Sequence, residues 1–202
     1  MGAHEIMNSE DFKKCETFHG HVCPGLAIGY RAAKAGMAWL KEKRSEDEEI
    51  VAIVETDACS ADAVQVITGC TFGKGNFIYK DYGKMAFTLL SRNSGRGVRI
   101  MLTGETARPD GEHMALIRKK IAGEISDDEQ ERFQHLHFKR SCMILEAPLD
   151  ALFTIREISV KLPAKAPIEP SKACSRCGES TMTSKLARVD GQLLCRGCLD
   201  QG

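Results

Sequence analysis

The chain has 202 residues, 43% of them hydrophobic and 28% charged, a balance that suits a globular protein with a real core and excludes a disordered or fibrous one. Its 28 basic and 28 acidic residues cancel, so no basic surplus recruits nucleic acid. No stretch reaches the roughly 18 apolar residues of a membrane helix. The segment Met1 to Phe12, with Glu5, Glu10 and Asp11, lacks the basic start and apolar centre of a signal peptide, so a cytoplasmic location is expected.

In chain order, Asn8 or Ser9 caps a first helix toward Phe18, with Phe12, Cys15, Phe18 and His19 toward one face. Pro24 suits the first position of a second helix, where its missing N–H costs nothing; that helix reads to Trp39 and stops in the charged run Lys41–Glu49. Ile50–Thr56 is a β-branched run and predicts a buried strand. A short helix opens at Ser60, and Gly69 to Asn76 is a glycine-rich turn. Phe77–Tyr82, Ala86–Arg92 and Gly97–Thr103 read as strands. Asp110 caps a helix with Met114, Ile117 and Ile121 on one face, closed by Gly123. Ser126 with Glu129 is a capping-box pattern for a longer helix toward Leu145, and Leu152–Leu162 alternates as a strand. Pro163–Ala173 holds three of the six prolines and reads as a semi-rigid linker. The expected organisation is an α+β core with a mixed sheet and helices over 1–162, a linker over 163–173, and a small four-cysteine module over 174–202.

Nine cysteines in a reducing compartment point to metal binding or reactivity before disulfides. Four of them follow the spacing Cys174-x2-Cys177-x17-Cys195-x2-Cys198, which falls in the window of a four-thiolate structural zinc site. Asp190-Gly191 between two short runs signals a hairpin joining the halves. So short a segment has little apolar core, and zinc supplies the missing stability. Two independent redox Cys-x-x-Cys pairs are the alternative.

Phe18–Gly25 reads FHGHVCPG. His19, His21 and Cys23 are spaced by two, so an extended segment sets them on one side, and two imidazoles with a thiolate suit zinc or a similar metal. Cys23 sits at the N-cap of the Pro24 helix, which favours a thiolate. A packed helix junction with a buried cysteine filler is the plain alternative. In Glu55–Cys70, Asp57, Cys59 and Asp62 lie where a strand passes into a helix, a place where ligand sites gather in α/β folds. A capped helix with a buried cysteine would look the same. The Thr68–Asn76 segment fails the Walker spacing, because three residues separate Gly69 from Gly73 and Gly75 follows Lys74. Lys74 could still hold an anion there. His135 and His137, two apart on a helix, point to different faces and cannot chelate together; His4 and His113 carry no pattern.

Phe18–Ala33 (FHGHVCPGLAIGYRAA), Glu55–Asn76 (ETDACSADAVQVITGCTFGKGN) and Lys80–Ala86 (KDYGKMA), in this order, resemble the FmdE family of formylmethanofuran dehydrogenase. The resemblance implies a dimerising α+β core and a pocket that gathers His19, His21, Cys23, Cys59 and Cys70 with the nearby polar residues Asp57, Asp62, Gln65 and Lys74. It also implies a zinc finger like that of many members, and partners among the components of molybdenum or tungsten enzymes that carry the redox centres. The leading expectation is a cytoplasmic, zinc-containing homodimer whose core pocket binds a second metal through His19, His21, Cys23 and Cys59. One rival is a stand-alone Cys- or metal-dependent enzyme, with Cys59 or Cys23 as nucleophile and His21 as a further catalytic candidate. Another is a regulatory module acting through the finger, whose Arg176, Lys185, Arg188 and Arg196 are offset by Glu179, Asp190 and Asp200.

Overall fold

Runs of β-branched and apolar residues become the strands of one mixed sheet in the computed structural model, which describes residues 2–104 and 107–200. Met1 and residues 201 and 202, the end of the expected module, lie outside the described residues. In chain order the elements are α1 (Ala3–Met7), α2 (Glu10–His19), α3 (Pro24–Leu40), β1 (Ile50–Val54), α4 (Ser60–Thr68), β2 (Phe77–Tyr79), β3 (Ala86–Ser91), β4 (Gly97–Leu102), α5 (Gly111–Ala122), α6 (Asp127–Glu146), α7 (Leu149–Leu152) and β5 (Phe153–Ile158). The tail adds β6 (Ser171–Ala173), β7 (Ser180–Met182), β8 (Leu186–Val189), β9 (Gln192–Cys195) and α8 (Arg196–Asp200). Two units part between Lys165 and Ala166, inside the expected linker, and that stretch closes in strand β6.

The sheet runs β2-β1-β3-β4-β5. β1 and β2 are parallel, which requires a crossover, and α4 lies on that crossover. The other pairs are antiparallel, with Ile53 opposite Thr88 and Ile100 opposite Ile155. One face carries Ile50, Ala52, Val54, Phe87, Leu89 and Ile100 into a shared core with α3 and α4. Each fully buried aliphatic side chain there is worth about 1.5–3 kcal/mol.

Local signals set the helix ends. The Ser9 hydroxyl accepts from the Phe12 amide, and Ser126 with Glu129 forms both bonds of a capping box. Arg31 of α3 donates to the carbonyls of Ile144 and Ala147 at 3.1 and 2.7 Å, and to that of Leu145, which caps the end of α6 and pins it to α3.

Three local expectations need correction. Phe18 is 59% exposed, because α2 buries only Phe12 and Cys15 and its last turn leaves the core. On α5 the buried face is His113 and Leu116, packed with Phe133 and Leu136 of α6, while Ile121 is 82% exposed. Rotation of α5 onto α6 therefore overrides the Met114–Ile121 stripe. The strand expected to Leu162 ends at Ile158, and its first residue, Leu152, belongs to α7.

Candidate metal centres

The larger unit turns its one histidine-rich segment into a cluster by ending α2 at His19 and starting α3 at Pro24. Gly20 takes the left-handed conformation, φ 94°, that lets the chain reverse between them. Cys23 then becomes the N-cap of α3, its sulfur accepting from the Leu26 amide at 3.3 Å. One donor atom from each of His19, His21 and Cys23 lies within 4.8 Å of the others. The His19 and His21 rings stand 4.6 Å apart, centroid to centroid.

His19 is engaged at both ring nitrogens. Its Nε2 lies 3.6 Å from Cys23 Sγ, and its Nδ1 lies 2.7 Å from Asp62 Oδ2 on α4. A nitrogen and a sulfur bound to one tetrahedral zinc sit about 3.6 Å apart when the bonds are about 2.05 and 2.3 Å. A carboxylate on the second nitrogen of a ligating histidine is the usual outer-shell partner, fixing tautomer and ring orientation. The donor set therefore fits a metal.

Close helix packing brings α4 to this cluster. A Cβ on Gly29 would meet the Ser60 carbonyl oxygen at 2.2 Å, and one on Gly25 would meet Cys59 Cβ at 2.9 Å. These two glycines let α3 lie against the start of α4, where Cys59 is the N-cap and interacts with Cys23. Cys59 thus adjoins the three-donor set without belonging to it. Burial pushes the Cys23 thiol up to about 11, with Cys59 adding to the rise, while the Leu26 and Gly25 amides oppose it. The expected thiolate at the N-cap is corrected on that point: desolvation outweighs the helix terminus.

Asp57, Asp62 and Gln65 line a cleft of about 170 Å³ with Phe72, Phe77 and Tyr79. Asp62 is shared between this cleft and His19. Cys70 and Lys74 do not join either group. Both lie beyond the C-terminal end of α4, whereas Cys59 caps its start. Cys70 Sγ donates to the Ile50 carbonyl at 3.3 Å, with burial raising its thiol to about 11. Lys74 Nζ donates to the carbonyls of Ser45 and Glu46, at 3.4 and 3.1 Å, and so ties a loop at the entry to β1.

His21 also faces a groove of about 420 Å³ shared with Lys120 on α5 and Gln130, Phe133, His137 and Phe138 on α6. There His137 Nδ1 meets His113 Nε2 at 3.1 Å, and burial chiefly, with His113 next, lowers His137 to about 4. Sequence reasoning missed this pair, since the two histidines are 24 residues apart on different helices. His135, the other histidine of α6, is exposed and joins no cluster with His137.

In the tail unit β8 and β9 form the hairpin around Asp190 and Gly191, with Val189 opposite Gln192. One sulfur from each of Cys174, Cys177, Cys195 and Cys198 lies within 4.8 Å of the rest. The Cys177 and Cys195 sulfurs are 3.9 Å apart. Two sulfurs on one tetrahedral zinc lie about 3.8 Å apart. Backbone amides, of Cys177 first and then Cys195 and Arg176, lower Cys174 to about 6. Burial and the neighbouring thiols raise Cys198 to about 12. Four packed thiols give up few protons until a cation neutralises them.

A family model described as FmdE, molybdenum formylmethanofuran dehydrogenase operon, matches residues 18–154. The solved structure of an FmdE-like protein of tungsten formylmethanofuran dehydrogenase, from Syntrophus aciditrophicus, is similar at 25% identity and TM-score 0.61, over 99% of this chain and 93% of that one. A "Probable S-adenosyl-L-methionine-binding protein" of Archaeoglobus fulgidus is 35% identical over 192 residues, 92% of this chain and 51% of that protein. The chain thus spans about half the length of this curated relative.

Proposed function

The chain belongs to the FmdE family, and from that premise we propose that it is a metal-binding accessory protein with two unlike sites. In the larger unit His19, His21 and Cys23 hold a zinc ion and leave a position open to an external ligand. In the tail the four cysteines hold a second zinc, closed and structural. The observation that carries the core site is the chain Asp62–His19–Cys23, with spacings of 2.7 and 3.6 Å beside a third donor, His21. When bound, the metal supplies Lewis acidity at that open position. Asp62 fixes the His19 ring, Cys59 stands beside Cys23 as a reserve sulfur, and the glycine contacts of α3 keep the cluster from spreading. The family description and the name of the Syntrophus protein support extending this role to service of a molybdenum or tungsten enzyme, as a cytoplasmic homodimer. Metal analysis of the full chain tests the core site: Cys23→Ser should lose one ion per chain while the tail keeps its own. An unchanged count in that variant refutes it.

A second reading has one observation in its favour. Cys23, His19 and Asp62 also follow the order of a thiol nucleophile, its base and an orienting carboxylate. Against it, Cys23 is 3% exposed and its thiol is raised, the reverse of an activated nucleophile. Rapid alkylation of Cys23 by iodoacetamide at neutral pH in metal-free protein would favour the thiol enzyme; an inert Cys23 favours the metal site.

A further inference from the structure

The groove beside His21 holds chemistry that the metal site does not use. Lys120 places its ammonium 4.4 Å from the centroid of the Phe133 ring and 3.3 Å from Gln130 Oε1. Its neighbours on the same surface are matched to carboxylates: Lys119 to Glu129, and Arg132 to Glu112 at 2.7 Å. Among the described residues no carboxylate lies within 4 Å of Lys120, so a cation stands at an aromatic wall with only an amide oxygen for company. Phe138, 44% exposed, lies along the same groove. His137, whose Nδ1 is taken by His113, has Nε2 left for a ligand. A volume of about 420 Å³ matches a small organic molecule.

We propose that this groove binds a small planar organic anion, its flat body against Phe133 and Phe138 and its carboxylate on Lys120. A planar π-system is favoured because aromatic walls reward offset or edge-on ring contacts. An anion is favoured because Lys120 supplies the unmatched charge, and a charge-assisted bond is about twice as strong as a neutral one. Lys120, Gln130 and Phe133 are outside the metal donor set, so the inference goes beyond the metal reading and does not fall with it.

The test is titration of the full chain with benzoate, by calorimetry and ligand-observed NMR, with benzamide and inorganic phosphate alongside. Benzoate should bind, with benzamide and phosphate each markedly weaker. Lys120→Met should weaken benzoate about tenfold or more. Phe138→Ser, at an exposed position, should weaken it less. Cys23→Ser should keep benzoate binding even where its core metal is lost, which separates this inference from the metal reading. No benzoate binding, equal binding by Lys120→Met, or phosphate binding as tight as benzoate would each overturn the proposal.

Discussion

The tail unit gathers Cys174, Cys177, Cys195 and Cys198 around a single buried leucine, Leu194, whereas His19, His21 and Cys23 stand at the edge of a core that includes Phe12, Leu26, Phe87, Leu89 and Ile144. The same residue chemistry is therefore asked to do different things. In the tail there is too little apolar surface to offset chain entropy, so the metal is part of the fold. In the larger unit the fold stands on its own, and the cluster is free to leave a coordination position open. Ligand count follows: four sulfurs close the tail site, three mixed donors leave the core site incomplete.

The sharpest way to break this contrast is metal removal. A strong chelator should unfold the tail unit and spare the larger one, because structural zinc contributes about 10–16 kcal/mol in peptides of this kind. Amide NMR dispersion of β8 and β9 should collapse while that of β1, β3 and β4 persists; a tail that stays folded without metal removes the contrast. Next, Gly29→Ala should destabilise the larger unit by about 1–3 kcal/mol, since the added methyl meets backbone at Ser60 and neither helix can yield locally. Thermal melting should show the loss, and metal retention at the core should fall with it while the tail is unaffected. Asp62→Asn keeps size and fold, yet should lower core metal affinity about 10–100-fold, as read by competition with a chromophoric chelator. The smallest effect is expected from Ser126→Ala, which removes the capping box of α6 at a cost of about 1 kcal/mol in urea denaturation and touches neither site.

Features decided by neighbours in sequence are legible without the structure. Ser9, Ser126 with Glu129, Pro24 and Asp190-Gly191 act within one helical turn or one hairpin, and each does locally what its type dictates. The His19–Cys23 spacing and the two Cys-x-x-Cys pairs are likewise short-range, and the structure brings both groups together. What depends on distant partners is not legible. Cys70 and Lys74 share a sequence block with Cys59, but α4 carries them past its opposite end, and backbone carbonyls of Ile50, Ser45 and Glu46 take their donors. His113 and His137 show no pattern because only the packing of α5 on α6 makes them neighbours. The buried face of α5 escapes the sequence for the same reason. Likewise, Ser171–Ala173 looks like the end of a linker because its pairing with β7 reaches across the first Cys-x-x-Cys turn.

The central claim is that the core site is open where the tail site is closed. The cobalt(II)-substituted full chain, recorded before and after addition of azide, tests it most directly, with the spectrum of Cys23→Ser subtracted to isolate the core. An open core site predicts a thiolate-to-cobalt band in the difference spectrum that shifts when azide is added. A difference spectrum with no such band, or one indifferent to azide, would contradict it.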